Sequence, residues 1–287
     1  MKRILAACII TMVLPAIFHA ADDAGSLLDK ALEELVRNGY VGDASTAERY
    51  LQAILEQQPD HLEAQWQLLY VQLVPLRNTP LSDRAMALSA VSPAFARLSK
   101  LARESKQQAF LHFMTAIHAG LYNAYERALS EMERAVALEP RSARYLTAKG
   151  RLQIDSGRWT KSDLEIEKGI GILKEARGLL RTQPSPFVRD EYYEIYLASA
   201  IEDLSQPRWT EVADHYQRFI ERSQASAMHA FALSNVSMAY TKLGECDKAK
   251  EAAEKALAVM KFGAAQWNKR HAEFCLEVQK MGLIAKQ

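Results

Sequence analysis

Cysteine, glycine and proline are scarce in this chain, and so is any excess of charge. Three cysteines in 287 residues are too few for the disulfide framework of a small secreted scaffold. Twelve glycines and nine prolines, with no Gly/Ser-rich run, leave no flexible linker along which to divide the chain. Lys and Arg (36) nearly balance Asp and Glu (35), so no broad electrostatic surface for nucleic acid is implied.

Catalytic patterns are missing as well. There is no His-Glu-x-x-His and no Gly-x-Ser-x-Gly elbow. Gly169-Ile170-Gly171 opens a dinucleotide-like pattern, but Lys174 replaces the third glycine and no strand precedes it; close helix–helix contact is the better reading of Gly169. His112 and His118 are six residues apart and do not share a helix face, so they predict no metal site. Asp190, Glu191 and Glu194 are expected at the start of a helix, where the dipole favours carboxylates. These absences predict a chain that is not an enzyme and that carries no cofactor and no metal.

Long apolar runs are confined to the N-terminus. Lys2 and Arg3 precede an uncharged run from Ile4 to Ile17, followed by Phe18-His19-Ala20-Ala21 and an acidic pair. That layout predicts a secretory signal peptide over residues 1–20 and a periplasmic or otherwise exported protein. An uncleaved anchor is the alternative, and only then is a membrane involved; the run is short beside the ~20 apolar residues that span a bilayer. Leu5-Ala6-Ala7-Cys8 imitates a lipobox, but most of the apolar run lies after Cys8 rather than before it.

What the rest of the chain does contain is a recurring helical unit. Leu233, Val236, Ser237 and Tyr240 precede Gly244, and Ala249, Ala253 and Ala256 follow it. Large residues on a first helix thus face small residues on a second. The same order of features returns at Leu28–His61, at Ala109–Pro140 and at Leu146–Gly169. Ala128 and Ser162 stand 34 residues apart, and Arg158-Trp159-Thr160 is echoed by Arg208-Trp209-Thr210, with Tyr216 and Phe219 placed like Ile166 and Gly169. Prolines 75, 80 and 93 disturb the pattern near 74–108, where two short helices around a break at Ser92 are expected. A second irregular insertion is expected near 176–187. A last helix with no second half is expected from Ala264 to about Lys280, with Trp267 standing 34 residues after Leu233.

This unit resembles the tetratricopeptide repeat, a helix–turn–helix of about 34 residues. The resemblance covers most of residues 28–280. It implies an all-α, right-handed superhelical solenoid of antiparallel helix pairs over residues 21–287, with a closing C-terminal helix. In that family the first helices line a concave groove that holds a partner peptide or helix. Carried over residue by residue, the groove would present Trp66, Tyr70, Phe110, Phe113, Met114, Ile117, Arg144, Arg151, Phe231, Asn235 and Met238. Arg141, Arg144, Ala148 and Arg151 share one helix face, and the Arg144–Arg151 pair could hold a carboxylate. The lysine–asparagine clamp that some family members use for acidic chaperone tails is not reproduced. The resemblance therefore implies a non-enzymatic adaptor of the bacterial cell envelope with another protein as partner. The alternative is an extracytoplasmic binding protein holding an apolar small molecule inside the superhelix. Repeat geometry would also bring Cys246, at the start of a second helix, level with Cys275 on the closing helix, and export would favour a disulfide between them.

Overall fold

The structure, a computed structural model, describes residues 23–38, 44–73, 81–104, 107–182, 185, 188–223 and 226–283. The signal segment, Cys8, Gly42, Pro75 and Pro80 lie outside the described residues. Thirteen helices are described, and the one bridge among the described residues joins Ser185 to Val188. The first and second helices form pairs: α1 (Ala24–Asn38) with α2 (Ser45–Gln57), and α3 (Leu62–Leu73) with α4 (Leu81–Glu104). Next come α5 (Gln108–Leu121) with α6 (Tyr125–Leu138), and α7 (Ala143–Thr160) with α8 (Asp163–Thr182). The series ends with α9 (Asp190–Glu202) and α10 (Trp209–Arg222), α11 (Ala227–Leu243) and α12 (Cys246–Val259), and the single α13 (Gly263–Lys280). Every helix packs on the next one in the chain, which makes the architecture an all-α solenoid.

The small residues of the second helices explain that packing. Ala47, Ala128, Ala135, Ala249, Ala253 and Ala256 are all fully buried. Around Ala128 and Ala135 the same cluster holds Trp66, Phe113, Met114 and Tyr145 from three first helices. The turn after α11 takes the form expected of its glycine. Gly244 adopts φ 78°, its N–H reaches the Thr241 carbonyl, and Glu245 N–H reaches the Tyr240 carbonyl, satisfying carbonyls that the helix end would orphan. The equivalent turn after α7 uses Lys161 at φ 54°, a left-handed position held without glycine.

Three details depart from the sequence expectations. The first is α4, one continuous helix with Pro93 inside it. Pro93 faces solvent, and so does Ser89, whose carbonyl loses its helical partner to the proline, so the helix absorbs the missing N–H instead of breaking at Ser92. The second is α7, which has 18 residues where α5 has 14, one extra turn. Ser162 therefore does not occupy the place of Ala128: it caps α8, its hydroxyl accepting from Glu165 N–H at 3.3 Å, and Ile166 is buried at the helix position that Ala128 holds in α6. The third follows from the same turn. Arg158-Trp159-Thr160 ends a first helix whereas Trp209 begins a second one, so Tyr216 and Phe219 stand a turn beyond the positions of Ile166 and Gly169.

Glycine also sets how closely α7 and α8 approach. A Cβ on Gly150 would lie 3.0 Å from the Gly169 carbonyl oxygen, and one on Gly157 would lie 2.7 Å from Ile166. The first helices also reach beyond their neighbours. Arg144 of α7 makes a forked pair with Glu63 of α3, at 2.6 and 3.1 Å, passing α5. Farther still, α1 packs against α11, and Glu33 pairs with Arg189 at 3.1 Å. At the other end, Cys246 of α12 and Cys275 of α13 are joined as a disulfide with Cα atoms 5.5 Å apart.

Candidate partner-binding groove

The face expected to be an apolar groove is largely interior. Trp66, Phe110, Phe113 and Met114 are buried within one cluster that ties α3, α4, α5 and α6 together. They are inter-unit core: the Trp66 ring meets Phe95 of α4, and the Phe113 ring stacks on Tyr145 of α7. Tyr70, Ile117, Phe231, Asn235 and Met238 are half-buried. Phe231 packs on the largest core cluster, and the Asn235 amide donates to the Tyr216 hydroxyl at 3.0 Å. The arginine pair is engaged by the chain itself. The carboxylate on Arg144 is Glu63, each side chain 13% exposed, with the guanidinium 4.5 Å from the Phe113 ring centre. Arg151 lies 4.8 Å from the Tyr196 ring centre. Both arginines hold units together.

A charged network not expected from the sequence bridges α8, α9 and α10. Asp190 and Glu194 are one turn apart on α9, and Arg218 and Arg222 one turn apart on α10, so two i,i+4 ladders of opposite sign meet. Arg177 of α8 donates to Asp190 at 2.7 and 3.1 Å and to Glu194 at 2.7 Å. Glu194, only 1% exposed, also receives His215 Nδ1 at 2.7 Å and Arg218 Nε at 3.1 Å. Burial alone would raise the Glu194 carboxyl, but the hydrogen bonds from His215, Arg177 and Arg218 overcome it and hold the group at about 2. Asp190 is likewise held at about 2, chiefly by the Arg177 hydrogen bonds. The dipole reading of these carboxylates was thus incomplete: they are cross-helix partners. The matched four-residue spacings on α9 and α10 were the signal that could have revealed them. Nearby, burial and then the Asp203 carboxylate push Glu202 up to about 7, although the Tyr216 hydroxyl donates to it at 3.3 Å.

One unit further along, the corresponding space is open. Between α10 and α12, floored by α11, lies a groove of about 710 Å³. Leu233, Val236 and Ala252 form its buried apolar bed, with Ile220, Tyr240, Ala258 and Val259 along its sides. On α10 the groove is lined by Gln217 and Ile220, with Asp214 and Glu221 of the same helix near enough to act on the Tyr240 hydroxyl. On α12 it is lined by Lys248, Glu251 and Lys255; both lysines are more than 60% exposed, Lys248 pairing with the N-cap residue Glu245 and lying over the Tyr240 ring, Lys255 pairing with Glu251. Such exposed pairs contribute little and are readily exchanged for others.

An apolar trough between two helices, with a charged rim open to water, is the shape that receives an amphipathic helix. Among the described residues no group of three or more His, Cys, Asp or Glu could hold a metal ion, and no helix is long and apolar enough to cross a membrane.

No family model matches the chain, and no curated protein matches it. Among solved structures, the chain is similar to a tetratricopeptide repeat protein from Parabacteroides merdae, at 16% identity over 87% of this chain and 98% of that one, with a TM-score of 0.30.

Proposed function

We propose that this chain is a non-enzymatic, exported protein-interaction scaffold of the bacterial cell envelope, and that it seats an amphipathic helix of a partner protein between α10 and α12. The observation that carries this reading is the groove itself, which has an apolar bed on α11 and α12 and two exposed lysines along its α12 side. The partner helix would lay an apolar stripe on Leu233, Val236 and Ala252. It would turn acidic residues toward Lys248 and Lys255, which fixes its rotation. Export is supported by the charged-then-apolar N-terminus and by the Cys246–Cys275 pairing, which suits an oxidising compartment.

Site-specific photo-crosslinking tests the reading. A photoreactive residue at Val259 should give a discrete protein adduct in producing cells, while one at exposed Leu164 should give none. Combining Lys248→Glu with Lys255→Glu should remove the adduct without lowering the melting temperature. An adduct found only from Tyr70 or Met238 would move the binding site to the first-helix face and overturn the assignment to this groove.

A further inference from the structure

We propose that the closing helix α13 is also a self-association surface, on which a second copy of this chain packs antiparallel about a two-fold axis passing near Phe274. A closing helix ordinarily turns a polar face outward. Here Trp267, Phe274 and Met281 stay 55%, 62% and 63% exposed. They are seven residues apart, with His271 and Val278 between them, so the alternating spacing of four and three draws one straight apolar seam along the helix. About a third of a turn around the helix lie Ala265, Asn268, Ala272 and Cys275, all buried against the solenoid. Asn268 donates to the Ser234 carbonyl at 2.8 Å, and Cys275 is bonded to Cys246. The helix is thereby fixed in rotation, and its seam is held outward.

The charges beside the seam select the occupant. Arg270 and Glu277 flank it, and among the described residues neither is in an ion pair. They lie about equally far on either side of Phe274. An antiparallel second copy therefore sets Phe274 on its own equivalent and Trp267 on Met281 of the second copy. The same arrangement brings Arg270 and His271 to Glu277 of the second copy, and the two-fold axis repeats the match. A parallel pairing would leave Arg270 and Glu277, seven residues apart on one flank of the seam, away from their equivalents and without these cross-chain pairs. The surface is thus self-complementary in the sense required of a closed two-fold interface. One helix pair of this length covers on the order of 1,000 Å², the lower end for specific association, so the dimer is a reversible one.

Sedimentation equilibrium of the purified protein across micromolar concentrations tests this. The expected result is a monomer–dimer equilibrium that Trp267→Ala with Phe274→Ala weakens at least tenfold. Both side chains are exposed, so far-UV circular dichroism and the melting temperature should stay as they are. Arg270→Glu alone and Glu277→Arg alone should each weaken the dimer, and the two together in one chain should restore it. A monomer at every concentration would overturn the proposal, as would a dimer indifferent to the Trp267 and Phe274 substitutions. Open-ended oligomers would overturn it too, by showing the seam docked on a different surface. A charge-swapped double variant that stays monomeric would reject the antiparallel arrangement.

Discussion

A Cβ atom at Gly169 would stand 2.5 Å from the Ile154 side chain and 2.7 Å from the Gly150 carbonyl oxygen, whereas one at Gly171 meets nothing within 4 Å. Gly169→Ala should therefore destabilise the protein by about 1–3 kcal/mol through overpacking. Gly171→Ala should be neutral or stabilising by up to about 1 kcal/mol, from helix propensity alone; chemical denaturation of the two variants separates the cases. Titration provides a second test at this scale. Asp190 and Glu194 titrate at about 2 in the folded chain, below their ordinary values, so their stabilising effect is complete above about pH 4.5 and is lost as the pH falls toward 2. Glu202 is shifted the other way, to about 7, so its effect on stability is fullest below about pH 4.5 and is lost as the pH rises through 7. Melting temperature followed from pH 2 to 8 should show both slopes. Glu194→Gln should flatten the acid limb, and Glu202→Gln the neutral one.

At the scale of helices, the sequence was legible where packing repeats and obscure where a helix carries an exception. Ala249, Ala253 and Ala256 are buried as their spacing requires, and α13 begins and ends within a residue of the expected limits. The extra turn in α7 could not be read, because Arg158-Trp159-Thr160 and Arg208-Trp209-Thr210 look alike in sequence while closing one helix and opening another. Pro93 misled for a different reason: a proline stops a helix only when the freed carbonyl and the ring cannot be accommodated, and solvent accommodates both. The aromatic and arginine candidates on the first helices were rightly placed on one face, but period alone does not say whether that face is open. How tightly the units curve decides it. The α12–α13 pairing yields its own expectation. Reducing the Cys246–Cys275 bond, 29 residues apart in sequence, should cost about 3–4 kcal/mol on the chain-entropy account. It should also release α13 first, seen as early hydrogen exchange there, and thiol titration of the unfolded, unreduced chain should find neither of these cysteines free.

For the whole molecule, the contacts that matter most are those that skip. Arg144→Ala removes the only forked tie between α3 and α7 among the described residues and leaves Glu63 without its cation, a loss of about 1–3 kcal/mol, with partner binding in the α10–α12 groove unchanged. The packing of α1 on α11 has a consequence of another kind. A linear array of repeats is a one-dimensional chain of neighbours: it can begin folding anywhere, melts inward from its ends, and tolerates the loss of a terminal unit. Joining the first helix to the eleventh turns that line into a ring. The join brings together segments far apart in sequence, so it must form late, after the intervening units have laid down the curvature that makes it possible. Once formed, it leaves no free N-terminal end from which to unravel. Such a chain should fold slowly for a helical protein, unfold in a single step, and respond to deletion of α1 with loosening at α11, some two hundred residues away.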